Sequence, residues 1–243
     1  MPESVRWQVL QIALMEHGHL TFLQTTVGKK VVIALTGLVL VGFVIAHMLG
    51  NLGFFFGQET INAYAAFLKS KPAVLWGARA VLLGAVVLHI VLTLSLKMRN
   101  VKARPVRYEV NNKVQATSAS LTMALTGIIV LSFIVFHLGH FTLGFVFPEH
   151  YALHDPVGRH DVFGMMTRGF TIPLVAWGYV VAMVFLTFHL SHGVQSMFQT
   201  LGLRGPKYAA GIRVLSTTIA LVVFFGFAAV PASVQLGFVA NSF

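Results

Sequence analysis

Apolar positions along this chain fall into five long blocks separated by short polar stretches. The blocks cover roughly 28–56, 73–97, 118–147, 170–200 and 209–238, each at or beyond the ~20 residues a helix needs to cross the hydrocarbon core of a bilayer. Pro72 stands where a helix can begin, because a proline at the first helical position loses no hydrogen bond. Pro173 falls in the first turn of the fourth block and Pro231 near the end of the fifth. The pattern predicts an all-α membrane protein: one domain over residues 1–243 with five transmembrane helices.

Composition agrees with a chain that faces lipid. Hydrophobic residues make up 56% and charged residues 10% of the 243, against about 25% charged in soluble domains. The formal charge of +10 invites a nucleic-acid reading, but the Lys and Arg residues sit at the ends of apolar runs, which is a topology pattern. Twelve of them (Arg6, Lys29, Lys30, Lys97, Arg99, Lys102, Arg104, Arg107, Lys113, Arg204, Lys207 and Arg213) fall on one side of the five spans. Lys69, Lys71, Arg79, Arg159 and Arg168 make five on the other. The positive-inside rule then places the N-terminus in the cytoplasm. Residues 1–26 are polar and mixed, so the first block is expected to be a span and not a cleaved leader. With no cysteine, the chain excludes disulfides, thioether-linked haem and self-ligated iron–sulfur clusters, while His-ligated haem stays open.

The first and third spans align without gaps at an offset of 90: Ala34-Leu35-Thr36-Gly37 matches Ala124-Leu125-Thr126-Gly127, Phe43 matches Phe133, and His47 matches His137. The second and fourth spans carry His89 and His189 at matching depth. Two related hairpins and a fifth helix result. His47 lies about 25 Å beyond Lys30 along its helix and His89 about 12 Å before Lys97. Depth therefore pairs His47 with His137 toward the outer side and His89 with His189 toward the inner. A single in-span histidine can serve only as an interhelical hydrogen-bonding group. Four at two matched depths, with almost no other charge in the spans, point to a functional site. Each pair is expected to give both axial ligands to one b haem, so that two haems lie in the four-helix bundle. Such iron has no open position and transfers electrons.

His140 and His192 each follow a proposed ligand by three residues, and their repeat counterparts are Gly50 and Leu92. They are expected to hydrogen-bond haem propionates, quinone or neighbouring helices. His17, His19, His150, His154 and His160 lie in polar segments and are expected to be solvated.

Five spans, Thr-Gly-x9-His in the first and third, and the run FHLSHGVQSMFQTLGL over 188–203 resemble the di-haem cytochrome b subunit of succinate dehydrogenases and fumarate reductases. The likeness covers about residues 28–238. It implies a membrane anchor, in the bacterial cytoplasmic membrane, for a flavoprotein carrying FAD and the dicarboxylate site and for an iron–sulfur subunit, both on the cytoplasmic face. This chain would then hold no catalytic residue of its own. The family's four axial positions fall on His47, His89, His137 and His189, and electrons would pass through the inner and then the outer haem to menaquinone. The basic loop from Lys97 to Lys113 suits docking of those partners. Where some relatives place polar propionate contacts before the first Thr-Gly, this chain has Ile33 and Ala34, which moves that role to Lys29, Lys30 or His192. Where some fumarate reductases carry a glutamate two residues before the fourth ligand, it has Thr187. Asn51, Glu59 and Arg79 lie toward the outer haem as quinone neighbours or ordinary loop residues.

The rivals are the di-haem b subunit of a hydrogenase or formate dehydrogenase, a transmembrane ferrireductase, and a transporter that relays protons on histidine. The redox rivals typically draw ligands from other span combinations, and a transporter predicts colourless protein.

Overall fold

The computed structural model describes residues 22–103 and 122–239. The N-terminal segment with Arg6, His17 and His19, and the segment with Arg104, Arg107, Lys113 and the expected start of the third span at 118, lie outside the described residues. Among those described there are no strands, and five helices are long and apolar enough to cross a membrane. They are α1 (Thr26–Leu52), α3 (Pro72–Lys102), α4 (Met123–His137, continuing as a π turn over Leu138–Thr142), α7 (Pro173–Thr200) and α8 (Ala209–Gln235). Between them lie α2 (Gln58–Lys69), a single turn α5 (Pro148–Tyr151) and α6 (Val162–Thr171).

The starts follow local rules. Thr25 accepts a hydrogen bond from the Gly28 amide to cap α1, and Pro72 and Pro173 open α3 and α7. The ends differ from the apolar runs for identifiable reasons. The first run reaches 56, but its helix ends at Leu52 in a 3-10 turn, followed by Gly57 at φ 95°. The third span stops at Thr142 and not 147. Gly144 there takes φ 72° with the Tyr151 ring against its Cα, a place only glycine fits. The fourth begins at Pro173 and not 170, because Ile172 before the proline is extended (φ −80°, ψ 109°) and separates α6 from α7.

Helices α1 and α7 pack against each other at the centre; α3 lies on α1, α4 on α7, and α8 closes on both. Met48 of α1 occupies the space a side chain would fill at Gly226 of α8, so the two backbones approach closely. Met48, Leu190, Ala220 and Val223 form one buried cluster. A second one gathers Phe54, Ile61, Met166, Phe170, Tyr179 and Val230, at the end of the bundle where α2 and α6 lie. At the opposite end Lys29 Nζ donates to Ser95 Oγ (2.6 Å) and Arg99 to the Gln24 carbonyl (2.9 Å).

Short helices α2 and α6 are welded by one polar network. Asn62 is fully buried; its Nδ2 donates to Asp161 Oδ1 (2.9 Å) and Asp155 Oδ2 (3.3 Å), and its carbonyl accepts from the Phe163 amide (3.1 Å). Asp161 also caps α6 by accepting from the Gly164 amide. Arg159 bridges Asp155 and Glu59 across the surface. Replacing Asn62 with Leu strands these buried partners, for an expected loss of about 1–3 kcal/mol. A lowered thermal midpoint of the detergent-solubilised protein checks it. The Arg159 hydrogen bonds hold the Glu59 carboxyl below its ordinary value. Burial alone pushes Asp155 up, but the bonds from Arg159 and Asn62 outweigh it and leave Asp155 lowered too. Carboxyls lowered by folding stabilise above their unfolded value and lose that contribution as pH falls through the lowered one. Protection of the 150–161 amides, corrected for the intrinsic pH dependence of exchange, is thus expected to be flat down to about pH 4 and to fall below it.

Candidate cofactor site

The two hairpins repeat one arrangement. Thr36 of α1 meets His89 of α3, Oγ1 to Nδ1 at 3.2 Å; Thr126 of α4 meets His189 of α7 at 3.3 Å. Each threonine hydroxyl spends its own proton on its helix, Thr36 on the Val32 carbonyl (2.8 Å) and Thr126 on the Met123 carbonyl (3.0 Å). Toward the imidazole it can only accept. Nδ1 must therefore carry the hydrogen, and Nε2 keeps its lone pair. Gly37 and Gly127 lie beneath these rings: a Cβ there would stand 3.5 Å and 3.4 Å from the imidazole Cε1 atoms.

At the α2/α6 end, His47 and His137 come together with ring centroids 5.8 Å apart and planes at 80°. Two imidazoles bound to one metal through nitrogens at about 2.0 Å have ring centres on the order of 6 Å apart. The aromatic residues one turn earlier pack on each ring: Phe43 stacks on His47 at 5.3 Å and Phe133 on His137 at 5.7 Å. Their supports differ. His137 Nδ1 lies 3.4 Å from the Tyr179 hydroxyl, while His47 meets the Asn51 amide nitrogen at 3.3 Å from both ring nitrogens. Phe227 of α8 also flanks His47 at 5.7 Å.

The lesser candidates disperse. Lys29 is taken up by Ser95, and Lys30 is exposed. Arg79 stacks over Trp76 at 4.8 Å, and Glu59 belongs to the Arg159 network. His192 is half-buried. His140 is the exception: it is buried at 1% exposure, with Nδ1 at 3.0 Å from the Tyr179 hydroxyl. In the loop, His154 pairs across a bridge with His160, which rests on the Tyr151 ring, while His150 stacks on Phe147. Among the described residues no three His, Cys, Asp or Glu side chains gather as a bare metal site.

Tyr179 and the α2–α6 network escaped sequence reasoning. The threonines were visible as half of the Thr-Gly repeat, but their partners lie on the next helix. Asp161, a capping residue type just before Val162, is the sequence feature that could have marked the start of α6.

Fold and site define a polytopic helical membrane protein whose spans present histidines in two tiers. The family profile for the succinate dehydrogenase/fumarate reductase transmembrane subunit matches residues 97–228. The chain belongs to that family and is a membrane subunit of this enzyme class. Comparison with curated proteins and with solved structures gives no match.

Proposed function

We propose that this subunit holds two b haems, one on His47 and His137 and one on His89 and His189, and carries electrons between an iron–sulfur partner subunit and a membrane quinone. The reading is a succinate:menaquinone oxidoreductase anchor, one domain over residues 1–243. FAD and the dicarboxylate site lie on a flavoprotein partner at the cytoplasmic face of a bacterial membrane. The observation that carries it is the paired hydroxyl–imidazole contact, Thr36 to His89 and Thr126 to His189. Histidines serving only to join helices need no common tautomer. Here both inner rings are held with Nε2 unprotonated, the form that binds iron, and their other nitrogen is hydrogen-bonded as metal-bound histidine usually is.

Bound at these pairs, haem supplies one-electron chemistry with no open coordination position. The protein's residues supply the rest. Thr36 and Thr126 orient the inner rings, Phe43 and Phe133 hold the outer ones, and the apolar helices exclude water. His140 Nε2 is buried against Gly169 with no hydrogen-bond partner among the described residues, so this ring serves by supporting Tyr179 through Nδ1. Basic residues at the Lys29/Lys97 end suit docking of the partner subunits, with the N-terminus cytoplasmic.

Affinity purification of the tagged chain from its native membrane tests the assignment. We expect flavin- and iron–sulfur-containing subunits to co-purify and succinate to reduce the b-type absorbance. A haem-bearing chain purified without a flavoprotein, and inert to succinate, would contradict it in favour of a ferrireductase.

A further inference from the structure

The two tiers of histidine are supported differently. The inner rings each meet a threonine whose proton goes to a backbone carbonyl. On the outer side His137 Nδ1 meets Tyr179 (3.4 Å), and the same hydroxyl lies 3.0 Å from His140 Nδ1. A π turn over Leu138–Thr142 follows His137 and contains His140, closed by the Leu143 amide on the Leu138 carbonyl (2.8 Å). Gly169 of α6 makes room for the His140 ring: a Cβ there would lie 2.7 Å from His140 Nε2. The sequence repeat has glycine, Gly50, at the position of His140, so this arrangement belongs to the second hairpin alone.

We propose that Tyr179 and His140 form a one-directional hydrogen-bond relay that positions His137 and lowers the potential of the outer haem. The inference rests on the haem assignment above. Hydrogen counting sets the direction. With Nε2 on iron, His137 has its hydrogen on Nδ1 and donates it to the Tyr179 oxygen. Tyr179 has one proton, which goes to His140 Nδ1. His140 is then the Nε2–H tautomer, fixed by the proton that Tyr179 gives to Nδ1. A hydroxyl that donates onward is a better acceptor, and an acceptor on Nδ1–H raises the basicity of the ligating imidazole. A more basic ligand favours ferric over ferrous iron. His140 is thus a positioning residue that acts through Tyr179.

Redox titration of the purified complex, followed by haem absorbance, tests the relay. The outer haem is taken as the one remaining in His189→Ala. In Tyr179→Phe its ferrous-to-ferric ratio at fixed potential is expected to rise about tenfold, about 59 mV for a one-electron couple, with the inner haem unmoved. His140→Leu should shift the same way, and His140→Gln, which keeps an acceptor for the tyrosine proton, should return toward wild type. If Tyr179→Phe loses the outer haem, the His140 pair decides. An unmoved outer potential in Tyr179→Phe with both haems present, or equal shifts in the Leu and Gln variants, overturns the relay. Wild-type protein without haem overturns the assignment beneath it instead.

Discussion

Replacing His189 with alanine is expected to halve the haem content of the purified subunit, from two per chain to one, and to leave the survivor low-spin. The ring of His189 is held by Thr126 within the second hairpin, whereas the His47–His137 pair is held by Phe43, Phe133, Phe227 and Tyr179. Among the described residues no hydrogen bond or ring contact joins that outer group to His189, so removing the inner ligand is expected to leave the outer pair standing. His89→Ala should act alike, and His47→Ala or His137→Ala should remove the other haem. Haem per polypeptide, measured by extraction against protein concentration, reads the result. Retention of both haems in either inner variant refutes the pairing.

The second large effect is expected at threonines that touch no iron. Thr126→Val keeps the shape of the side chain and removes the acceptor for His189 Nδ1–H. That buried hydrogen loses its partner, and the ring loses the contact that holds its tautomer. Removing such a support typically costs 10–100-fold in metal affinity, and we expect about that range for haem. Thr36→Val should weaken the His89 side equally, since both hydroxyls are anchored to backbone carbonyls in the same way. Thr126→Ser should restore binding. Rates of haem loss to a globin scavenger measure this; equal rates for Val and Ser would show that the hydroxyl has no such role.

Much of the architecture was legible because lipid imposes a coarse rule: a helix must be long and apolar, and the five spans obey it. The Thr-Gly repeat marked two residue types that the structure joins across helices, though only the fold shows that Thr36 reaches into α3 and Thr126 into α7. What stayed hidden depended on exceptions to the rule. Helices α2 and α6 are short and only half apolar, and they are joined by Asn62, Asp155 and Asp161, polar residues scattered over about a hundred positions. Tyr179 looked like one more aromatic residue in a span. Its partners, His137 and His140, lie about forty residues away, and their joint approach depends on a π turn that no apolar pattern announces.

The central claim is that this chain binds two haems, each between two imidazoles. A dithionite-reduced minus oxidised spectrum of the purified complex, with haem counted against the polypeptide, tests it most directly. We predict a low-spin b-type α-band, two haems per chain and no change on adding carbon monoxide. A colourless preparation, or a spectrum that shifts with carbon monoxide, would contradict it.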